Sequence, residues 1–172
     1  MPALRTASSA LLLALLAGCA TLDKNECLRA DWYAIGLEDG AQGRPLERLG
    51  EHRRACAEHA VTPQTERYLA GRSEGLKTYC TYERGLWIGK SGQSYAGVCP
   101  TGNFQTGFQR GREIYDLRRR LDTVEEQIRR TKAALAAGIP NPKTRAAEVE
   151  RLEDLSREAE QLQQRIATLE RY

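Results

Sequence analysis

The sequence lacks any hydrophobic run long enough to cross a bilayer. Its longest apolar stretch covers residues 10–17, whereas a permanent transmembrane helix needs about 20 residues. Phe is also scarce, with two in the whole chain. A chain of 172 residues suits one small domain with an appendage.

The chain has no marked excess of either charge and none of the common catalytic motifs. It carries 26 basic and 23 acidic side chains, a net charge of +3, and no clustered basic face of the kind that binds nucleic acid. It contains no glycine-rich phosphate loop followed by Lys and Ser or Thr, and no nucleophile elbow. The sequence therefore predicts a protein that is not an enzyme, with no catalytic residue, no cofactor and no nucleic-acid partner.

The N-terminus has the pattern of a bacterial lipoprotein signal. Arg5 precedes the apolar stretch, and Leu16-Ala17-Gly18-Cys19 has the form of a lipobox. We expect cleavage after residue 18 and lipidation of Cys19 with palmitate and other acyl chains, which together anchor stably. The alternative is a plain signal peptide with a chance cysteine. Because Ala20 rather than aspartate follows, resemblance to Gram-negative lipoproteins favours the outer membrane, with the protein facing the periplasm.

Lipidation of Cys19 would leave an even number of cysteines. The four that remain can form two disulfides in an oxidising compartment, with three pairings open; they are Cys27, Cys56, Cys80 and Cys99. The pairing Cys27–Cys56 and Cys80–Cys99 is favoured, because elements that follow one another in sequence are usually neighbours in space. Each disulfide would add about 3 kcal/mol of stability to a small domain.

The composition changes near Gly111. Fourteen of the fifteen glycines lie at or before this residue, and the rest of the chain is rich in Leu, Glu, Arg, Gln and Ala. Two series of residues in that part alternate steps of three and four, which predicts the seam of a coiled coil: Ile114, Leu117, Leu121, Val124, Ile128, Thr131 and Leu135, then Leu152, Leu155, Ala159, Leu162, Ile166 and Leu169.

The segment between the two series predicts a tight reversal. Gly138 suits the end of a helix, Asn141 suits an N-cap, and Pro142 suits the first helical position. The two helices should therefore form an antiparallel hairpin. Its outer face should carry four i,i+4 ion pairs: Asp116–Arg120, Glu125–Arg129, Glu126–Arg130 and Glu153–Arg157. This face is either a solvated surface or a docking surface for a partner.

One glycine pattern recurs in the N-terminal half. An aromatic residue is followed at the third position by glycine and four residues later by another glycine, beginning at Tyr33, Tyr68 and Phe104. The two glycines lie on one helix face and allow another backbone to approach closely. The polar flanks exclude a membrane dimerisation motif.

Helix signals are uneven in this half. One helix is predicted from the cap Thr62 to about Tyr82, and another from Pro45 with Leu46, Leu49 and Cys56 facing inward. The glycine-rich stretch from Gly85 to Pro100 has poor helical character, and is predicted to be a loop or short hairpin.

Three groups of side chains are candidates for a site. His52, Cys56 and His59 have the spacing of metal ligands on one helix face, but a disulfide at Cys56 would leave surface histidines and no metal. Carboxylates near the glycine motifs could hydrolyse glycans, although helix capping or pairing with Arg44 or Arg72 explains them more simply; they are Asp31, Glu38, Asp39 and Glu74.

The third group is aromatic. These rings could line a ligand groove, but in so small a core they should supply buried area instead; they are Trp32, Tyr33, Tyr68, Tyr79, Trp87 and Tyr95. From the second and third groups together, the residues we take as candidate surface or ligand-binding positions are Asp31, Trp32, Asp39 and Glu74.

The mature N-terminal half carries a set of residues that together form a recognisable pattern: Cys27, Asp31-Trp32-Tyr33-Ala34-Ile35-Gly36, Asp39-Gly40, Gly43, Cys56, Tyr68, Gly71-Arg72, Glu74-Gly75-Leu76, Tyr79-Cys80, Gly89, Tyr95 and Val98-Cys99-Pro100. In these residues the chain resembles the bacterial lipoprotein family called domain of unknown function 2799, over roughly residues 23–120. The resemblance supports a lipoprotein and implies no catalytic residue.

The sequence thus predicts an all-α protein: a small, glycine-rich, disulfide-stapled helical domain followed by an antiparallel coiled-coil hairpin. The predicted segments are a signal peptide at residues 1–18, the helical domain at 19–111 and the hairpin at 112–172. The favoured function is non-enzymatic binding or scaffolding in the cell envelope, with the hairpin engaging another envelope protein. The alternative is a module that binds or hydrolyses envelope glycan (peptidoglycan).

Overall fold

The computed structural model describes residues 21–100 and 102–171. These residues form helices, turns and loops but no β-strands. The predicted signal peptide and the lipidation site Cys19 lie outside the described residues. Within them the helices are α1 (Lys24–Leu28), α2 (Trp32–Ala41), α3 (Glu47–Ala57), α4 (Thr65–Tyr79), α5 (Tyr82–Lys90), α6 (Asn103–Ala137) and α7 (Pro142–Glu170). The predicted all-α class is confirmed.

The chain forms two compact units that divide between Tyr79 and Cys80. We call the described residues up to Tyr79 the N-terminal unit and those from Cys80 onward the C-terminal unit. The change in composition near Gly111 falls inside α6, which continues unbroken from Asn103 to Ala137. A change in amino-acid usage along one helix therefore does not coincide with the division between the units.

Side chains that cap helices fix several boundaries. Asp31 accepts hydrogen bonds from the first turn of α2, and Thr81 does the same for α5. Because Thr81 caps the start of α5, α4 ends at Tyr79 rather than at the predicted Tyr82. Helix α4 starts at Thr65 rather than directly after Thr62.

In the N-terminal unit, α2 and α4 touch backbone to backbone. A Cβ added to Gly36 or Gly40 on α2 would lie 2.0 or 2.3 Å from a carbonyl oxygen of α4. One added to Gly71 or Gly75 on α4 would lie 2.0 Å from a carbonyl oxygen of α2. Gly36 meets the carbonyl oxygen of Tyr68, and Gly40, one turn later, meets that of Arg72. Residue numbers therefore increase in the same direction along both helices, which run parallel. The predicted role of the glycine pattern, close approach of a second backbone, is confirmed here.

The C-terminal unit contains the same kind of crossing, between α5 and α6. A Cβ added to Gly85 or Gly89 would lie 2.1 or 2.3 Å from a carbonyl oxygen of α6. One added to Gly107 or Gly111 would lie 2.2 or 2.4 Å from a carbonyl oxygen of α5. The prediction of a loop was therefore wrong for residues 85–90, because tight packing against α6 outweighs the low helix propensity of glycine. Residues 91–100 are not helical, as predicted.

A third glycine completes the resemblance between the two units. Gly43 and Gly92 each follow the second crossing glycine by three residues and have positive φ, 67° and 71°. Tyr79 lies against the first, and Tyr115 against the second; an added Cβ would come within 2.2 and 2.5 Å of these rings. A side chain there would thus be strained and would also collide with the ring.

The disulfides follow the same order in both units. Cys27–Cys56 and Cys80–Cys99 are paired as the sequence favoured, with Cα atoms 5.4 and 5.5 Å apart. In each unit the first cysteine precedes the first crossing helix, and the second cysteine lies in the segment between the two crossing helices. Both units therefore have the order cysteine, crossing helix, cysteine, crossing helix.

Helices α6 and α7 form the predicted hairpin. Val124 of α6 is buried with Leu155 and Ala159 of α7, and further seam residues are packed around them. Gly138 has a φ of 89°, and Asn141 caps α7 with Pro142 in the first turn. The turn and the seam agree with the prediction.

The ion pairs on the hairpin differ from those predicted. Of the four i,i+4 pairs, Glu126–Arg130 is present. Arg120 instead reaches across to Glu158 on α7, while Arg129 pairs with Glu126 and Arg157 with Asp154. Exposed long side chains choose among several carboxylates at little cost in free energy, so spacing alone does not select one partner.

Candidate functional site

The N-terminal unit encloses a polar cluster, which consists of Asp39, His52 and Tyr68. Asp39 lies on α2, His52 on α3 and Tyr68 on α4, and all three are buried. Oδ2 of Asp39 lies 2.7 Å from the Tyr68 hydroxyl and 2.9 Å from Nε2 of His52. The cluster therefore joins the two crossing helices to the helix that connects them.

The two hydrogen bonds to Asp39 have a definite direction. An ionised carboxylate can only accept, so the Tyr68 hydroxyl and Nε2–H of His52 both donate to Asp39. Nδ1 of His52 forms a hydrogen bond of 2.8 Å with the hydroxyl of Thr21. A chain of hydrogen bonds thus runs from Thr21 through His52 to Asp39.

The electrostatics keep Asp39 ionised. Burial by itself raises its pKa, but hydrogen bonds from His52 and Tyr68 and the charges of His52 and Arg48 outweigh burial and hold the pKa below its usual value. Nε of Arg48 lies 3.9 Å from Oδ1 of Asp39. Burial, the hydrogen bond to Asp39 and its negative charge all raise the pKa of Tyr68. The cluster therefore holds a fixed negative charge and a neutral phenol.

We expect Asp39→Asn to lower the free energy of unfolding by about 2 kcal/mol at pH 7, because a neutral amide is a poorer acceptor for two buried donors. The folded-state pKa of Asp39 is depressed, so its contribution is complete above the unfolded-state pKa of about 3.9 and is lost as the pH falls through the folded-state pKa. Urea unfolding at pH 7 and at pH 3 should show the difference from wild type shrinking in acid. A difference that stays constant over this range would contradict it.

Asp39 is poorly suited to general acid catalysis. A depressed pKa keeps the carboxyl ionised near neutral pH, whereas a glycosidase acid needs a raised pKa. The other predicted carboxylates lie elsewhere: Asp31 caps α2 and pairs with Arg67 at 3.2 Å, and Glu74 pairs with Lys77 at 2.5 Å. The predicted helix capping is thus present at Asp31, whereas neither carboxylate pairs with Arg44 or Arg72. Arg72 donates to the backbone oxygen of Arg44.

Two of the candidate ligand positions are not on the surface. Trp32 is 3% exposed and packs in the core with Cys27, Cys56 and Tyr68, and Asp39 is 7% exposed. His52, predicted to be a surface residue, is also buried, because both of its ring nitrogens have partners inside the unit.

The rings and apolar side chains divide between core and surface. Trp32, Tyr68 and Tyr79 are buried as predicted, but Trp87 is 54% exposed and Tyr33 is 39% exposed. Leu46, predicted to face inward, is half exposed as well. Trp87 lies under the guanidinium of Arg84, 5.2 Å from the ring centre, and lines an open groove of about 420 Å³ on α5.

The described residues offer little for a metal. Cys56 is bonded to Cys27, which removes its thiolate from the spacing with His52 and His59. No group of three His, Cys, Asp or Glu side chains in residues 21–100 and 102–171 has an arrangement that could hold a metal ion. In the same residues, no helix is long and apolar enough to span a membrane.

The cluster of Asp39, His52 and Tyr68 was not predicted from the sequence, because its members are far apart in the chain. Asp39 and His52 are 13 residues apart on different helices, and Thr21 is 31 residues from His52. Position beside a crossing glycine does not mark such a carboxylate, since Glu74 also precedes one, Gly75, and is exposed.

The fold and its buried cluster define a small helical protein built on disulfide-braced glycine crossings. Residues 31–113 match the sequence model of the family described as "Protein of unknown function (DUF2799)". The match confirms the resemblance over this segment, which is slightly under half of the chain. No curated protein and no solved structure shows significant similarity to the chain.

Proposed function

We propose that the protein is a lipoprotein of the outer membrane that faces the periplasm, and that it binds or scaffolds another envelope protein without catalysing a reaction. The lipobox at Cys19 supports the anchor. The two disulfides support an oxidising compartment, because such bonds persist outside the cytosol of most organisms.

The observation that carries the binding role is the hairpin of α6 and α7. Helix α7 has 29 residues, about 43 Å at 1.5 Å per residue. Its inner side packs on the seam of α6, while its outer side is exposed, including the apolar Val149 at 42%. A long, stiff helical pair with an exposed outer side provides a surface for a helical or extended partner.

The polar cluster supports this proposal over a glycan hydrolase. Its carboxylate is enclosed by fixed donors from His52 and Tyr68, whereas hydrolysis requires a second carboxyl group across an open cleft. Asp31 and Glu74 are exposed and engaged in ion pairs with Arg67 and Lys77. The cluster therefore serves the folded structure.

We expect a photo-crosslinking residue placed at Val149 or Gln161, both exposed on α7, to give a discrete protein adduct in intact cells. The same residue at Glu66, exposed on α4, is the matched control and should give none. Adduct bands on immunoblots, followed by mass spectrometry, provide the readout. Absence of an adduct on α7, together with binding of the purified full chain to peptidoglycan sacculi, would reject the scaffold and favour the glycan-binding alternative.

A further inference from the structure

The hydrogen-bond chain from Asp39 ends at Thr21, which precedes α1 by three residues. The Thr21 hydroxyl is hydrogen-bonded to Nδ1 of His52, and the next residue, Leu22, packs against the hydrophobic core of the N-terminal unit. Both a polar and an apolar side chain therefore hold the backbone at residues 21 and 22. The polypeptide is fixed to the folded unit from this point on.

The C-terminal unit shows that the glycine crossing does not itself require this polar cluster. When the crossing glycines of the two units are superimposed in sequence, Ile88 stands in the place of Asp39 and Phe104 in the place of Tyr68. Both are buried, and α5 and α6 cross with the same close backbone contacts. The carboxylate of the N-terminal unit therefore has a separate task, to hold His52 and, through it, Thr21.

The position of Thr21 matters because the lipidation site is so close to it. Cys19 precedes Thr21 by two residues, and each residue of an extended chain spans at most about 3.6 Å. The two Cα atoms can be separated by no more than roughly 7 Å. A lipid on Cys19 would thus be attached to the folded unit with almost no linker.

We propose that the chain of hydrogen bonds Thr21–His52–Asp39, here called the anchor lock, holds the N-terminal unit with α1 against the phospholipid headgroups. This inference rests on the proposed lipid anchor at Cys19. Around helix α1 the side chains of Lys24 and Arg29 are exposed, as are Asp23 and Glu26, whose carboxylates accept backbone hydrogen bonds in the capping box. Leu28 is 57% exposed beside them. An exposed apolar side chain among charges of both signs suits the zwitterionic and anionic headgroups of a membrane surface.

The test uses the full lipidated chain in vesicles of phosphatidylethanolamine and phosphatidylglycerol. A nitroxide on Asn25→Cys reports on α1, and one on Glu66→Cys, in the same unit, is the control. We expect collisions of the label at position 25 with a water-soluble nickel chelate to be about fivefold fewer than at position 66, since headgroups shield α1.

Three variants separate the lock from the anchor. Thr21→Val removes the hydroxyl with little change of shape, Thr21→Ser keeps it, and an insertion of about eight Gly and Ser residues after Ala20 lengthens the tether. We expect Thr21→Ser to behave as wild type. The valine variant should raise hydrogen exchange of residues 21–24 about fivefold, and both it and the insertion should expose the label at position 25.

The outcomes distinguish the two proposals. If Thr21→Val leaves exchange and label exposure unchanged, the lock is wrong. If wild type floats with the vesicles but its label at position 25 is as exposed as that at position 66, α1 does not face the membrane, although the anchor stands. If mass spectrometry finds no lipid on Cys19 and the protein does not float, the lipoprotein proposal fails, and the membrane contact fails with it.

Discussion

Replacing Gly71 by alanine should unfold the N-terminal unit, with a loss of at least about 3 kcal/mol in the free energy of unfolding. The new Cβ would lie 2.0 Å from the carbonyl oxygen of Tyr33, where ordinary contact begins at 3.4 Å. The two helices would have to separate by roughly 1.4 Å, the difference between these distances, which would loosen the neighbouring glycine contacts as well. Backbone atoms cannot move aside as a flexible side chain can.

The natural control is Gly50, which lies within α3 and where an added Cβ would meet only the guanidinium of Arg54, at 3.7 Å. Gly50→Ala should raise the free energy of unfolding by about 0.5–1 kcal/mol, because alanine is the better helix former. Urea unfolding followed by the fluorescence of Trp32, with exposed Trp87 replaced by Phe in every protein, reports on the N-terminal unit. Equal effects of the two alanines would show that the crossing is not close packed.

Removing the disulfide of the N-terminal unit should have a comparable effect. The double variant Cys27→Ala/Cys56→Ala releases a loop of sequence separation 29, and the gain in unfolded-state entropy corresponds to about 3–4 kcal/mol. Both cysteines are also almost fully buried in the core, so lost packing adds to this cost. Trp32 fluorescence during urea unfolding, under non-reducing conditions, measures the change.

The equivalent variant Cys80→Ala/Cys99→Ala is the matched comparison. It opens a loop of sequence separation 19, for which the entropic contribution is similar, about 3 kcal/mol. It should leave the Trp32 transition within about 0.5 kcal/mol of wild type if the two compact units unfold separately. A shift of the Trp32 transition as large as that caused by the first pair would instead show that the units unfold as one.

Regular patterns with local causes could be predicted from the sequence. The seam of the hairpin follows from apolar side chains at steps of three and four, and the turn at Gly138 and Asn141 follows from the conformations and caps these residues favour. The cysteine pairing was favoured by proximity in sequence alone. These features depend on neighbours within a few residues or on one repeated spacing.

Features that depend on tertiary packing could not be predicted in the same way. Helix α5 contains Gly85 and Gly89, which weaken an isolated helix, and it forms because α6 packs directly on them. Tyr82 begins a fourth copy of the glycine pattern there, but low helix propensity concealed it. The cluster of Asp39, His52 and Tyr68 is assembled from three helices, and its partners carry no common spacing.

The glycine crossings should also allow many amino-acid substitutions at the other positions of these helices during evolution. Where two backbones meet without intervening side chains, their fit does not depend on the shape of the side chains around them. At one matching position the N-terminal unit has Asp39 and the C-terminal unit has Ile88. At another, the N-terminal unit has Tyr68 and the C-terminal unit has Phe104. Distant homologues of such a domain should therefore retain little beyond glycines and cysteines at fixed intervals, and a search by that spacing should find relatives that overall identity would miss.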